Sequence, residues 1–194
     1  MSNTYIIYKP FNMLSQFTKE AEHHNTLADL EFDFPKDVYP VGRLDSDSEG
    51  LLILTNDKSL NQKLLNPKNK KPKIYWVFVE GIPSEESLKK FRNGLTISIK
   101  GKKHQTDRAK VKKLKEVSLL PIRVPNIITY SHKEYCWLQV TLTEGKYRQV
   151  RKMCAAIGHP VLRLVRVGIA NYTLGKGKLK KLQPGSVKEL TIKI

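Results

Sequence analysis

Apolar positions fall into short blocks with two different periods. "YIIY" (Tyr5–Tyr8) and "LLIL" (Leu51–Leu54) are continuous apolar runs of strand length, the second a buried strand. "KIYWVFVEG" (Lys73–Gly81) is rich in β-branched and aromatic residues and reads as a strand. In "CWLQVTL" the residues Cys136, Leu138, Val140 and Leu142 alternate, as a half-buried strand requires. "LRLVRV" (Leu162–Val167) is a further strand.

Helical spacing appears three times. A short helix is expected over Ser59–Leu65, with Asn56 or Asp57 near its start and Pro67 beyond its end. Ser84 caps a second helix: Glu85 and Glu86 occupy its first turn, basic residues follow, and Gly94 closes it. In "RQVRKMCAAIGHP", Val150, Met153, Cys154 and Ile157 form one apolar stripe, and the same spacing puts Arg148, Arg151 and Lys152 on the opposite side. Strands and helices interleave, and several connections are too short for parallel crossovers. The pattern predicts an α+β fold with a mixed, largely antiparallel sheet and flanking helices.

A chain of 194 residues can bury a real core. One domain of two lobes over residues 1–194 is expected. Two cysteines without metal-ligand spacing, no apolar run near the roughly 18 residues of a bilayer span, and no signal-peptide layout point to a reduced, cytoplasmic protein. Charge changes the picture most. Lysine and arginine number 35 against 18 acids, a net +17. The cations recur in four separate segments, "KNKKPK", "KGKKHQTDRAKVKKLK", "KYRQVRK" and "KGKLKK". Folding therefore builds a basic surface, and nucleic acid is the partner that rewards many spaced cations. No long basic amphipathic helix supports a membrane surface instead.

Against that excess, "DSDSEG" (Asp45–Gly50) stands out. It spells the first half of a calcium-binding EF-hand loop. Position 12 of that loop would be Asn56 rather than glutamate, and positions 7–10 are the apolar "LLIL", so no metal is expected here. Asp47 reads as a solvated turn residue, with Ser48, Glu49 and Gly50 shaping the turn. Asp45 follows Gly42, Arg43 and Leu44 and immediately precedes a buried strand, so it is rigidly presented, as a catalytic group must be. An aspartate has a reference pKa of about 3.9 and is ionised at neutral pH without help.

The stretch "GRLDSDSEGLLILTND" (Gly42–Asp57) resembles the signature of the RsuA-type pseudouridine synthases, roughly G-R-L-D-x-x-S-x-G-L-L-x-L-T-N-D. "KIYWVFVEG" is similar to the K-x-Y strand motif of that family, and "EGKYRQVRKMCAAIGHPVLRLVRVGIANYTL" to its E-G-x-x-R-Q-V-R-R-M segment. "YKPFNMLSQFT", "EGIPSEESLKKFRNGLTI" and "LPIR" look most like the subgroup acting on large-subunit ribosomal RNA, which begins directly in the catalytic domain without an S4-type domain.

The resemblance implies the pseudouridine-synthase fold with a basic active-site cleft. It implies isomerisation of uridine to pseudouridine in ribosomal RNA, most closely 23S RNA, free or in a pre-ribosomal particle. It implies no cofactor, no membrane partner and a monomer. By motif position Asp45 is the nucleophile, acting at C1′, at C6 of uracil, or through a glycal. Tyr75 matches the tyrosine that stacks on the base and takes part in proton handling at C5. Arg151 matches the arginine paired with the aspartate, with Arg148 as the alternative. Arg43 fills the gap left by the flipped nucleotide or grips its backbone. Lys73, Lys152 and Leu164 complete the RNA-contacting and pocket-lining set. Lys146 and Tyr147 depart from the pattern at positions that bear on RNA contacts. Two other classes compete: a non-catalytic RNA-binding protein, which would not need Asp45, and a metal-dependent nuclease using Asp45, Asp47 and Glu49. The five histidines read as non-catalytic.

Overall fold

The apolar blocks become buried strands in the computed structural model, which describes residues 3–190. The architecture is α+β. Its strands are β1 (Thr4–Lys9), β2 (Tyr39–Pro40), β3 (Glu49–Thr55), β4 (Lys73–Glu80), β5 (Thr96–Ile99), β6 (Lys102–Gln105), β7 (Lys110–Leu114), β8 (Tyr135–Leu142), β9 (Val161–Ile169), β10 (Tyr172–Thr173) and β11 (Val187–Glu189). The helices are α1 (Lys58–Leu65), α2 (Glu85–Asn93) and α3 (Gln149–Ala156). No helix among the described residues is long and apolar enough to cross a membrane.

The described residues form two compact units, one of residues 3–71 with 166–190 and the other of residues 72–165. In the first unit β1 lies between β11 and β3, antiparallel to both, and β2 adds to β3. Every residue of β1 and of β3 is buried, including Lys9 and Glu49. An isolated parallel bridge joins Met13 to Asn25. Asp57 caps α1 by accepting from the Leu60 amide at 3.0 Å, which satisfies one of the open N–H groups of the first turn.

In the second unit β8 lies between β4 and β7, antiparallel to both. Burial alternates along β4 and β8: Tyr75, Val77, Val79, Leu138, Val140 and Leu142 lie on the buried side. They form the core of this unit with Leu88 and Phe91 of α2 and Val150, Met153 and Cys154 of α3. Ser84 caps α2 through the Ser87 amide, and Gly94 ends it at φ 92°. The basic run "KGKKHQTDRAKVKKLK" is largely exposed. It folds as the second strand of the β5–β6 hairpin and then as β7.

Candidate active site

The first unit carries Arg43 and Asp45. The Asp45 carbonyl accepts from the Ser48 amide at 3.0 Å, closing a four-residue turn that leads into β3. That turn is clamped on both sides. On the upstream side the buried Ser15 hydroxyl donates to the Leu44 carbonyl at 2.8 Å and accepts from the Leu44 amide at 3.0 Å. On the downstream side Lys9, which is fully buried, donates from Nζ to the Ser46 carbonyl at 3.3 Å. The same Nζ donates to the carbonyls of Pro10 at 2.8 Å and Met13 at 2.7 Å. Three acceptors match the three N–H groups of an ammonium. Burial pushes Lys9 down from 10.5 to about 7, against the upward pull of Glu49, Asp47 and Asp45. Ser48 and Glu49 are both buried, so of this acidic stretch only the Asp45–Asp47 segment is partly open to solvent. Arg43 is exposed and donates to Gln16 Oε1.

Gly50 is fixed by a close approach. At φ 104° its α-carbon sits against the Arg166 backbone, and a Cβ there would lie 2.3 Å from the Arg166 carbonyl oxygen. Arg166 is itself buried and donates from Nε to the Leu51 carbonyl at 2.7 Å. Lys9 and Ser15 thus hold the Asp45 turn, and Arg166 holds the start of β3 that follows it; the sequence pattern had assigned a role to none of the three. The available signal was a lysine ending the apolar run "YIIYK" and an arginine inside "LRLVRV". A cation embedded in a buried strand needs internal partners.

The second unit carries Lys73, Tyr75, Arg148, Arg151, Lys152 and Leu164. Tyr75 lies on the buried side of β4, opposite Val140 of β8, and is 8% exposed. Leu164 is buried in β9. The Lys73 side chain passes Gly145, where a Cβ would lie 3.9 Å from Lys73 Cε. Arg151 donates to the Val161 carbonyl at 3.3 Å, and Lys152 donates to the Ser98 carbonyl, tying α3 to β5.

One placement differs from the helical-spacing expectation. Arg148 does not share a helix face with Arg151 and Lys152. It precedes α3 as the N-cap residue, in the left-handed conformation at φ 51°. Few non-glycine residues adopt that conformation, and here a side-chain network holds it. Gln149, nearly fully buried, accepts from the Lys146 amide at 3.0 Å and donates to Glu144. Glu144 also accepts from the Asp107 amide at 2.8 Å and pairs with His104 at 3.3 Å. The turn therefore reverses at Arg148 before the helix begins. Ile157, expected on the apolar stripe, is the C-cap residue and only partly buried. Among the described residues no group of three or more His, Cys, Asp or Glu side chains is placed to hold a metal ion.

Residues 3–156 match the family model described as RNA pseudouridylate synthase, and the chain belongs to that family of isomerases. Among its relatives is a protein of Vibrio parahaemolyticus serotype O3:K6 named ribosomal large subunit pseudouridine synthase E. It is 45% identical over 188 residues, covering 96% of this chain and 73% of that one. A protein of the same name from Xanthomonas axonopodis pv. citri is 44% identical, covering 87% of this chain and 86% of its own. A solved crystal structure of pseudouridylate synthase superposes with a TM-score of 0.76 at 25% identity, covering 98% of this chain and 71% of that chain.

Proposed function

We propose that this protein converts a uridine of large-subunit ribosomal RNA to pseudouridine, with Asp45 as the nucleophile and without a cofactor. The observation that carries the assignment of Asp45 is its clamped turn. Ser15 fixes the residue before it and Lys9 the residue after it, so its backbone is held before substrate arrives. Preorganisation of this kind lowers the barrier by removing reorganisation at the moment of reaction. The choice of ribosomal RNA is supported by the names of the relatives and by the net charge of +17.

The reaction balances without an oxidant or an energy source. The N1–C1′ bond breaks, the base turns, a C5–C1′ bond forms, and the proton lost from C5 is matched by one gained at N1. Asp45 holds the ribose or the base during the turn, by attack at C1′, by attack at C6, or by assisting a glycal. Tyr75 provides the ring on which the uracil stacks and a phenol for proton handling. Arg151 keeps the aspartate ionised and aimed once water is excluded, with Arg148 as the alternative partner. Arg43, Lys73 and Lys152 grip the RNA backbone, and Leu164 lines the uracil pocket. Extracting the uridine costs about a few kcal/mol. Stacking returns roughly 1–3 kcal/mol per base, and salt-sensitive phosphate contacts cover the remainder. The enzyme works as a cytoplasmic monomer, with one catalytic domain over residues 1–194.

Pseudouridine mapping of ribosomal RNA from cells lacking this protein tests the reading. One large-subunit site should be missing and should return with the wild-type gene. A missing site confined to small-subunit or transfer RNA would overturn the substrate. Turnover by the purified enzyme should be the same with and without a chelator; its loss in chelator would overturn the cofactor-free route.

A further inference from the structure

Strand β4 has two sides, and the one facing away from Tyr75 has a composition that the isomerisation does not use. The pairing register lines up Trp76 with Gln139 and Lys112, and Phe78 with Trp137 and Leu114. Tyr135 pairs with Glu80 in the next row. Phe78 stacks on Tyr135 at 5.5 Å between ring centroids and 25° between planes, and tilts on Trp137 at 5.0 Å. Trp76 Nε1 donates to Gln139 Oε1 at 3.3 Å, which fixes the indole. All four aromatic residues are only half-buried, whereas their neighbours Val77, Val79, Leu138 and Val140 on the other side are fully buried. Lys110 and Lys112 border the rings on β7 and are exposed. The carboxylate of this surface, Glu80, is neutralised by Lys133 at 2.8 Å.

We propose that this side of β4, β8 and β7 is a second RNA-binding surface, on which unpaired nucleotides stack against Trp76 and Trp137 while Lys110 and Lys112 meet their phosphates. The inference rests on the reading of the substrate as RNA. Charge selects the occupant. A second copy of the chain would bring the same lysines and another +17 against them, whereas a polyanion is attracted. Half-buried aromatic rings held by cross-strand contacts offer π-faces at little entropic cost, and stacking on such rings tolerates any base. Three adjacent strands span roughly 10–15 Å, room for about two or three stacked bases.

The test is specific because the two tryptophans of the chain both lie on this surface. The probe is an oligoriboadenylate of about eight nucleotides, which contains no uridine for the isomerisation site. Titrating it into the full-length protein should quench tryptophan fluorescence saturably, and salt should weaken the effect. Trp76→Phe and Trp137→Phe should each remove part of the quench. The exposed pair Lys110→Glu with Lys112→Glu should weaken oligoadenylate binding about tenfold or more, with circular dichroism as in the wild type. Binding without quenching, or equal affinity in the doubly charge-reversed protein, would overturn the proposal, as would a fluorescence change that follows protein concentration without RNA. Asp45→Asn should quench like the wild type. Wild-type protein that quenches with oligoadenylate but forms no pseudouridine on ribosomal RNA would sink the proposed reaction and leave this surface standing.

Discussion

Replacing Lys9 by methionine keeps the length of the side chain and removes its three donors. The carbonyl of Met13 accepts from Lys9 within the core, while those of Pro10 and Ser46 are partly buried. A buried carbonyl left unpaired costs about 1–3 kcal/mol, and the two outer ones cost less because water reaches them. Relief from burying an ammonium offsets part of the loss. The net expectation is a destabilisation of about 2–3 kcal/mol near pH 7, or about 5–10 °C in Tm for a chain of this size. Turnover at saturating RNA should fall further than stability alone explains, because Ser46 no longer tethers the Asp45 turn. The pH dependence supplies an independent sign. Lys9 is pushed down to about 7 in the fold, whereas a free lysine titrates near 10.5. Between those values the unfolded chain binds more protons than the folded one, so the contribution of Lys9 to stability rises with pH across that window. Methionine has no such contribution, so the stability gap between wild type and Lys9→Met should widen from pH 7 to pH 9. Urea titrations at both pH values, paired with single-turnover assays, measure all three quantities. A loss below about 0.5 kcal/mol, or a gap that narrows as pH rises, would refute this role for Lys9.

Gly50→Ala should be severe, because its Cβ would meet the Arg166 carbonyl carbon, nitrogen and oxygen at 2.9 Å or less in a conformation L residues rarely adopt. We expect a loss above about 3 kcal/mol or failure to fold; a Tm within a few degrees of wild type would show that the backbone yields there. Burial pushes the Cys154 thiol up to about 12, so at pH 8 it should resist alkylation in the native protein while the half-buried Cys136 reacts first. Rapid labelling of Cys154 by mass spectrometry would contradict its place in the α3 core. Arg151→Lys and Arg148→Lys separate the two candidate partners of Asp45: the variant with the larger fall in kcat at unchanged RNA affinity identifies the partner, and equal small effects in both would remove the arginine from the mechanism.

The main strands and helices were legible because their apolar periods are clean. "CWLQVTL" alternates as a half-buried strand does, "LLIL" has the length of a buried strand, and Ser84 with Gly94 bracketed α2. The β5–β6 hairpin and β7 were hidden because polar residues fill their exposed positions, Thr96 and Ser98 in β5 and lysines in β6 and β7, leaving Ile97 and Val111 as the buried residues that mark them. Arg148 was misplaced because helical spacing was extended one residue too far. The left-handed turn there depends on Glu144 and Gln149, whose contacts reach Asp107 and His104 far back in the chain. The acidic turn at Asp45 stood out in the sequence, but the contacts that hold it did not. The turn is held by Lys9 and Ser15, and the strand after it by Arg166, which lie 36, 30 and 121 positions from Asp45 in the chain.

The most direct test of the central claim is Asp45→Asn. The change removes one charge and keeps the size and the turn, so Tm and RNA affinity should stay close to wild type. The purified variant is incubated with large-subunit ribosomal RNA, and pseudouridine is counted at the site modified by wild type. The account predicts no pseudouridine above background with RNA binding within a few-fold of wild type. Isomerisation at a rate near that of wild type would contradict it.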